Sequence, residues 1–397
     1  MSTLEDSDRD FIIDSASRLL SIKAVSPSSG GEGEYKKGQE LIKILKELGY
    51  DNFVEYSIKD NSGHVRPNFV LKIGNFQKTL WIISHLDTVP EGDIELWKYE
   101  PYKATIDGDK IYGRGSEDNG QALFTTLLLL KNLDKSKLKI NLGIAFVSDE
   151  ETGNEYGIKH IIKEDIFQHD DLIIVPDAGT NEGLIIETAE KTVMQLQFEV
   201  RGIQGHASMP ATSVNAFRVS SKFIVDLDSV LHKKFNRKNT LFIPQYSTFE
   251  PTKHEKNIDN INTIPGRDIF YWDFRILPEY PADQVLREID NTISKYSKDS
   301  GAKISYKVVD RVDAPAPTDE NSEVIVRLKK AIKNVIGEDA VTIGIGGETF
   351  ASFLRSSGYN VAVWSTTAIE KAHMPDEYCL ISHILQDVRV YRELLYN

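Results

Sequence analysis

Two kinds of apolar pattern alternate along the first 190 residues of the chain. Short, nearly continuous apolar runs predict buried strands, whereas apolar residues that recur at helical spacing predict the helices that cover them. The predicted strands are NFVLKI at 68–73, TLWIIS at 79–84, NLGIAFVSD at 141–149 and LIIVPD at 172–177, and the predicted helices are 35–48 and 121–133. This alternation favours an α/β fold whose mixed or mostly parallel sheet carries helices on both faces.

The pattern changes near residue 190, where strands begin to alternate between apolar and polar positions. The order of the predicted elements, βαββαβ, is that of a ferredoxin-like α+β unit. We therefore expect one domain over 1–189 and 311–397, interrupted by an inserted domain over 190–310. The elements of the insertion are strands at 193–202, 240–250, 267–277 and 303–310 and helices at 213–234 and 281–299.

Composition narrows the class of protein. The net charge of −13 argues against a nucleic-acid partner, because phosphate backbones are bound by basic surfaces. The single cysteine, Cys379, excludes an internal disulfide and a cysteine-rich zinc module, so a metal site would use histidine and carboxylate. No apolar run approaches about 20 residues and the start of the chain, MSTLEDSDRD, is acidic, so we expect neither membrane span nor signal peptide, and a cytoplasmic location.

Histidine and acidic residues directly follow several of the predicted strands. His85 and Asp87 follow TLWIIS, Glu150 and Glu151 follow NLGIAFVSD, and Asp177 ends LIIVPD. The carboxyl ends of strands in an open α/β sheet border the ligand crevice. We therefore expect these five side chains to converge at one edge of the sheet.

Five short motifs carry the candidate chemistry, and each also has an ordinary structural interpretation. Asp118 can be a helix cap, Asp177 a turn former and His373 a loop histidine. Their joint occurrence favours a site for two metal ions, because one carboxylate can bridge two cations about 3.5 to 4 Å apart. The motifs are HLDTVP at 85–90, GRGSEDNG at 113–120, SDEETG at 148–153, PDAG at 176–179 and AHMPDE at 372–377.

In this order, the five motifs resemble the M20-type metallopeptidase family, which contains glutamate carboxypeptidase, aminoacylase, succinyl-diaminopimelate desuccinylase, acetylornithine deacetylase and carnosinase-like dipeptidases. The resemblance extends from about residue 10 to the end of the chain. It implies two divalent metal ions, with Zn expected first and Co or Mn as alternatives. One ion would be held by His85, Asp118 and Asp177, and the other by Asp118, Glu151 and His373.

The same resemblance implies catalytic roles. Glu150 would be the general base, and Asp87 would orient the ring of His85. His206, in GIQGHAS at 202–208, would stabilise the oxyanion, reaching into the partner subunit of a homodimer. The domain over 1–189 and 311–397 would then be catalytic, and 190–310 would be a lid and dimerisation domain. A cis peptide bond is implied after Asp118.

Substrate contacts are implied as well. Asn262 and Arg275 would bind a free carboxylate of the substrate, for which an arginine fork is well suited. Gly346 and Gly347, in the turn GIGGET at 344–349, would hold the same carboxylate. Asn119 stands at a position where many members of the family have Met or Lys.

These residues describe a hydrolase that cleaves a peptide or N-acyl amide bond in a small substrate with a free carboxylate, as a carboxypeptidase or dipeptidase. The alternative is an N-acyl-amino-acid or N-acyl-diamino-acid deacylase of the acetylornithine deacetylase or succinyl-diaminopimelate desuccinylase type. Members of this family have Asp or Glu at the position of Asp177, and the Asp of this chain resembles the dipeptidase and aminoacylase branches. A catalytically inactive metal-binding relative is disfavoured by the presence of Glu150 and His206, and a two-metal phosphodiesterase by the shortage of basic residues near the motifs.

Overall fold

The computed structural model describes residues 2–397, and their contacts divide the chain into two units. The first unit comprises Met1–Thr188, Pro317–Thr342 and Thr349–Asn397. The second comprises Ala189–Ala316 and Ile343–Glu348.

The strands and helices follow one another along the chain with short connections. The strands are β1 Phe53–Glu55, β2 Ile58–Lys59, β3 Val65–Arg66, β4 Phe69–Ile73, β5 Thr79–His85, β6 Thr105–Asp107, β7 Lys110–Tyr112, β8 Asn141–Val147, β9 Leu172–Thr180, β10 Ile185–Glu190, β11 Thr192–Arg201, β12 Gly205–His206, β13 Thr248–His254, β14 Thr263–Ile264, β15 Arg267–Ile276, β16 Lys303–Val312, β17 Val341–Ile345, β18 Val361–Thr366 and β19 Tyr378–Leu380. The α-helices are α1 Ser2–Leu20, α2 Tyr35–Glu47, α3 Ala122–Lys131, α4 Ile158–Lys163, α5 Ala216–Lys234, α6 Ala282–Ser300, α7 Glu323–Ile336, α8 Ala351–Ser356 and α9 Ile381–Tyr396. A π-helical turn, Ser116–Gln121, precedes α3, and 3-10 turns lie at Pro27–Ser29, Ile94–Leu96, Lys135–Lys137, Glu150–Thr152, Pro210–Thr212 and Ile369–Lys371.

A mixed sheet with the order β1-β4-β8-β5-β9-β18-β10-β17 forms the centre of the first unit. The inner strands β8, β5, β9 and β18 run parallel, while β1, β4 and β10 pair antiparallel. Alternate side chains of β5 point to opposite faces. Leu80 and Ile82 pack in a core with α3 and α9, whereas Trp81 and Ile83 pack in a second core with α4 and α8. The predicted α/β fold with helices on both faces is therefore confirmed.

The second unit has the element order β11-α5-β13-β15-α6-β16, ignoring the two short strands β12 and β14. Its antiparallel sheet has the order β13-β15-β11-β16, as in the ferredoxin-like arrangement that the pattern predicts. Buried aromatic side chains fill its core, with Phe198 stacked on Phe270 and the two rings 5.0 Å apart between centroids. The predicted strand at 240–250 is wrong over residues 240–247, because strand β13 begins only at Thr248.

The second unit extends beyond the expected range 190–310. Residues 311–316 belong to the second unit, and its strand β16 continues to Val312. Residues 343–348 also belong to it, because Lys191 donates its backbone N–H to the carbonyl of Ile345 and Gly344 donates to Leu241. Helices α1 and α9, which the sequence reading did not identify, cover the first unit. Among the described residues, no helix is both long and apolar enough to cross a membrane.

Candidate metal centre

His85 ends strand β5 and is fully buried. Its Nδ1 lies 3.1 Å from the backbone oxygen of Asp87 and 3.5 Å from the Asp87 carboxylate. A proton on Nδ1 would be donated to that carbonyl, and Nε2 would then present its lone pair. This Nε2 lies 2.9 Å from Oδ1 of Asp118 and 3.4 Å from Oδ1 of Asp177, so the structure brings these three expected ligands together.

His373 faces the other oxygen of the same aspartate. Its Nε2 lies 3.0 Å from Oδ2 of Asp118 and 3.3 Å from Oε1 of Glu151. Within each group of three, the candidate ligand atoms all lie within 4.8 Å of one another. Asp118 thus stands between two imidazoles with one oxygen directed to each, which is the arrangement expected of a bridging carboxylate.

The acidic loop after β8 is held by Asp87. The backbone N–H groups of Glu150 and Glu151 each donate to one oxygen of the Asp87 carboxylate, both at 3.0 Å. Asp87 therefore contacts His85 and also sets the position of the loop. Within residues 2–397, no side chain donates a hydrogen bond to the Glu150 carboxylate.

The third acid of this loop has a different counter-charge. Asp149 is buried, and its Oδ1 lies 3.2 Å from the guanidinium of Arg66. Arg66 is also buried and forms a second ion pair with Glu34 at 2.8 Å. The crowding of three acids in SDEETG is therefore relieved in part by an arginine.

Glu377 organises the turn that carries Asp118, and sequence reasoning missed it. Its carboxylate accepts backbone hydrogen bonds from Gly115 at 3.1 Å, Glu117 at 3.0 Å and Asp118 at 3.1 Å. Gly115 has a φ of 75°, and a Cβ there would lie 2.4 Å from the side chain of Thr88, so glycine is required.

Arg114 connects this turn to the second histidine. Its Nη1 lies 2.5 Å from Glu377, and its Nη2 donates to the backbone oxygen of His373 at 3.2 Å. Arg114 and Glu377 lie inside the motifs GRGSEDNG and AHMPDE, which was the available signal, but neither contacts a metal-ligand atom. The ion pair thus joins the loops that carry Asp118 and His373.

Asn119 also has a structural role. The peptide bond that precedes it is cis, as the family resemblance implies. Its Nδ2 donates to the backbone oxygen of Pro176 at 2.8 Å and to Oδ1 of Asp177 at 2.9 Å. The amide that departs from the common family residues therefore orients Asp177.

The electrostatics of the metal-free centre indicate an excess of buried negative charge. Burial, reinforced by nearby Asp177, raises the pKa of Glu150 well above its ordinary value. Burial and the charge of Asp118 raise the pKa of Glu151 to about 7. Hydrogen bonds to Asp118 and Glu151 raise the pKa of His373 to about 10. Histidine and carboxylate are donors suited to Zn, Co or Mn, and divalent cations would neutralise this cluster, so the residues fit two such ions.

A buried lysine adds one positive charge near these acids. Lys37, on α2, is 1% exposed. Burial lowers its pKa to about 8, although the charges of Asp87, Glu377 and Asp118 oppose the shift. An ammonium at this position offsets part of the negative charge, and the sequence motifs did not indicate it.

His206 and Asn262 lie close together in the second unit. Strand β12, which ends at His206, pairs with β14, and the backbone N–H of Ala207 donates to the carbonyl of Asn262 at 2.9 Å. The His206 side chain is exposed, and its Nδ1 is contacted by the Ser208 hydroxyl at 2.7 Å.

Arg275 and Gly346 form a separate pair. Nη1 of Arg275 donates to the backbone oxygen of Gly346 at 3.1 Å, and Nε and Nη2 contact Asp273 at 2.8 and 3.2 Å. Asp273 was not anticipated as the partner of this fork. Gly347 adjoins this pair in sequence, and a side chain at Gly346 would have open space around it.

Asn262 and Arg275, which are expected to bind one carboxylate, do not meet within this unit. Strand β15 runs from Arg267 to Ile276, and its first residue pairs with Arg201. Ile264, which precedes this strand, pairs with Gly205. Asn262 therefore lies beyond the N-terminal end of β15. Eight residues of extended strand between positions 267 and 275 span about 26 Å. One chain therefore holds these two residues at opposite ends of the sheet.

A family model, two sequence relatives and a solved structure match most of this chain. A model of peptidase family M20/M25/M40 matches residues 81–397. An uncharacterized metallohydrolase of Methanocaldococcus jannaschii is 44% identical over 400 residues, which cover 96% of this chain and 97% of that protein. A succinyl-diaminopimelate desuccinylase of Buchnera aphidicola is 27% identical over 295 residues, covering 72% and 73% of the two chains. The crystal structure of the aminopeptidase PepT from Bacillus cereus has a TM-score of 0.76 at 16% identity and covers 98% of both chains.

We expect Glu377→Gln to weaken metal binding by roughly 10- to 100-fold, because the amide places a donor against the backbone N–H groups that hold the Asp118 turn. Competition with a chelator of known affinity measures the change. Glu370→Gln, at an exposed position before His373, is the matched control and should bind as the wild type does. Unchanged affinity in a folded Glu377→Gln protein would contradict the positioning role.

The metal-free protein should lose stability as pH rises from about 5 to about 9. The contribution of Glu151 to folding stability is fully present below 4.5, the ordinary pKa of its carboxyl group, and is lost as the pH rises through about 7. The contribution of His373 is lost as the pH rises from 6.5, the ordinary pKa of its ring, to about 10. Metal binding releases these protons, so the metal-loaded protein should show the opposite trend. Thermal unfolding with EDTA and with Zn, each across this range, tests the sign. A metal-free melting temperature that rose with pH would disprove it.

Proposed function

Since the chain belongs to peptidase family M20/M25/M40, we propose that it hydrolyses a peptide or N-acyl amide bond in a small substrate with a free carboxylate, as a carboxypeptidase or dipeptidase. The observation that carries this proposal is Asp118, whose two oxygens lie 2.9 Å from His85 and 3.0 Å from His373. A carboxylate shared in this way suits a two-metal hydrolase.

The chain would hold its two divalent ions through His85, Asp118 and Asp177 on one side and Asp118, Glu151 and His373 on the other. When bound, such ions lower the pKa of water and polarise a substrate carbonyl. Zn is the metal we expect first, and Co and Mn suit the same donors. Glu377, Arg114 and Asn119 would keep the ligand loops in place.

Glu150 would move the proton of the reaction. Its carboxylate would accept a proton from the attacking water, and would then deliver it to the nitrogen of the leaving amine as the carbon–nitrogen bond breaks. The products are a carboxylate and an amine. The hydrogen bond from the backbone N–H of Glu150 to Asp87 supports this role, because it fixes the main chain of Glu150 next to the expected ligand Glu151.

Arg275, with Gly346 and Gly347, is proposed to bind the free carboxylate of the substrate. Asp273 would then compete with the substrate for the Arg275 guanidinium. The substrate carboxylate would either bind at Nη1, which Asp273 does not contact, or displace Asp273. His206 and Asn262 are proposed to act from the partner subunit of a homodimer. Their distance from Arg275 along the sheet supports this, since a single chain would have difficulty directing both ends to one substrate.

A deacylase of N-acyl amino acids or N-acyl diamino acids is the second candidate. The relative of Buchnera aphidicola that is named succinyl-diaminopimelate desuccinylase favours it. Asp177 disfavours the desuccinylase and deacetylase forms of this candidate, because it resembles the dipeptidase and aminoacylase branches. The two candidates share the metal centre and differ in what lies on the acyl side of the bond.

A substrate panel separates the two candidates. With Zn or Co added, we expect higher kcat/KM for Gly- and Ala-containing dipeptides than for N-acetyl and N-succinyl amino acids. Substrates whose terminal carboxylate is replaced by a carboxamide should lose roughly 100-fold or more, because the arginine contact becomes unpaired. The reverse order of activities would establish the deacylase, and full activity on carboxamides would exclude the proposed role of Arg275.

Glu150→Gln should lower kcat by roughly 100- to 10,000-fold while the two metal ions remain bound, because the amide cannot accept the proton. Turnover and metal content are measured on the same preparation. Glu155→Gln removes an exposed carboxylate from the same loop and should leave kcat unchanged. If wild type and Glu150→Gln behaved alike across the panel, the chain would be a metal-binding relative without this activity.

A further inference from the structure

Lys191 is a buried lysine of the second unit that has no part in the proposed reaction. It directly precedes β11, and only 2% of its surface is exposed. A buried ammonium loses its hydration, which costs free energy unless hydrogen-bond acceptors replace the lost water. The groups that accept from this ammonium therefore indicate what the lysine does.

Two carbonyls of one loop accept the hydrogen bonds of this ammonium. Nζ of Lys191 donates to the backbone oxygen of Pro244 at 2.8 Å and to that of Tyr246 at 2.6 Å. It also lies 5.8 Å from the centre of the Phe242 ring. The side chain therefore holds the main chain of residues 241–246, which we call the clamped loop.

The charge of Lys191 strengthens its hold on the clamped loop. Burial lowers the pKa of Lys191 to about 8, with a smaller contribution from the charge of Arg275, so the ammonium is still charged at neutral pH. A charged donor makes a stronger hydrogen bond than a neutral one, and its removal would deprive two carbonyls of this partner. Loss of the Lys191 side chain should therefore loosen the loop.

The clamped loop packs against the segment that leads to Gly346. The backbone N–H of Gly344 donates to the carbonyl of Leu241 at 2.6 Å. A Cβ on Gly344 would lie 2.4 Å from the ring of Phe242, so this close approach requires glycine. A displacement of the loop would therefore displace the segment that contains Gly346.

Lys191 also contacts this segment directly. Its backbone N–H donates to the carbonyl of Ile345 at 3.1 Å. The next carbonyl along the chain, that of Gly346, accepts from Nη1 of Arg275 at 3.1 Å. Lys191 thus acts on the position of Gly346 in two ways, through its own backbone and through the clamped loop.

We propose that Lys191 is a positioning residue for the carboxylate of the substrate. It keeps the carbonyl of Gly346 on Nη1 of Arg275, and this contact orients the planar guanidinium, on which recognition of a carboxylate depends. Each terminal nitrogen of a guanidinium carries two N–H groups, so the bond to Gly346 leaves one on Nη1 for the substrate. The inference rests on the proposed function, because it assigns Lys191 to the carboxylate site proposed for Arg275.

Binding to the Zn-loaded Glu150→Gln protein can be measured by calorimetry without turnover, with an Ala-Ala dipeptide and its C-terminal carboxamide as ligands. This parent protein should prefer the dipeptide. Adding Lys191→Met should raise the dissociation constant of the dipeptide roughly tenfold or more and leave that of the carboxamide within about twofold, because only the carboxylate needs the oriented guanidinium. Lys238→Met, at an exposed position shortly before the clamped loop, should change neither constant.

Gly344→Ala disturbs the same contact from the other side, and it covers the case in which Lys191→Met does not fold. Its Cβ would press on the Phe242 ring, so the dipeptide should again lose affinity and the carboxamide should not. Amide hydrogen exchange adds a measurement that needs no ligand. In Lys191→Met, the backbone N–H of Gly344 should exchange roughly tenfold faster than in the parent protein, because its bond to Leu241 depends on the clamped loop.

The proposal is wrong if the variants bind the dipeptide as the parent protein does, or if the exchange of the Gly344 N–H is unchanged. A parallel loss of affinity for dipeptide and carboxamide would also overturn it, because this would indicate a general disturbance of the unit. So would a parent protein without preference for the dipeptide. None of these measurements involves hydrolysis, so a protein that binds as expected but cleaves nothing in the substrate panel would contradict the proposed function alone.

Discussion

The burial of several carboxylates at one edge of the central sheet is the constraint on which the rest of the structure depends. Asp87, Asp118, Glu151 and Asp177 all lie within reach of His85 or His373, where water screens their repulsion poorly. The protein offsets this charge locally with imidazoles and the Lys37 ammonium. The remaining negative charge suits the centre to divalent cations, and it is the reason why we expect stability to depend on pH in their absence.

Hydrogen bonds around the centre fix the positions of the loops that carry these charged side chains. Asp87 accepts from the loop of Glu150 and Glu151, and Glu377 accepts from the turn of Asp118. In both cases a buried carboxylate binds backbone N–H groups, so the loop cannot move without leaving these donors unpaired. The ligands are therefore positioned by their main chain, and single substitutions outside the ligand set should affect metal binding.

The ferredoxin-like unit contributes a second constraint through its length. The ladder of β11 and β15 continues into β12 and β14, so His206 and Asn262 lie at one end and Arg275 at the other. If all three residues act on one small substrate, two copies of the chain offer a natural source for the two ends. A homodimer would then be part of the active site and would do more than add stability.

The amino-acid sequence by itself predicted the central buried strands and several of the long helices, because apolar periodicity is a local property. The expected metal ligands came from the resemblance of five short motifs to a known family. The side chains of His85, Asp87, Glu150, Glu151 and Asp177 could be expected to meet since the strands that they follow end at a common edge. Asp118 and His373 were added to this group only by the family resemblance of their motifs. Only the tertiary structure revealed Glu377 and Arg114 as the link between two loops, Asn119 as the partner of Asp177, and the separation of Asn262 from Arg275. These depend on the direction of individual side chains and on the register between distant strands. No local pattern encodes such relations, because they arise only when segments far apart in the chain pack against each other.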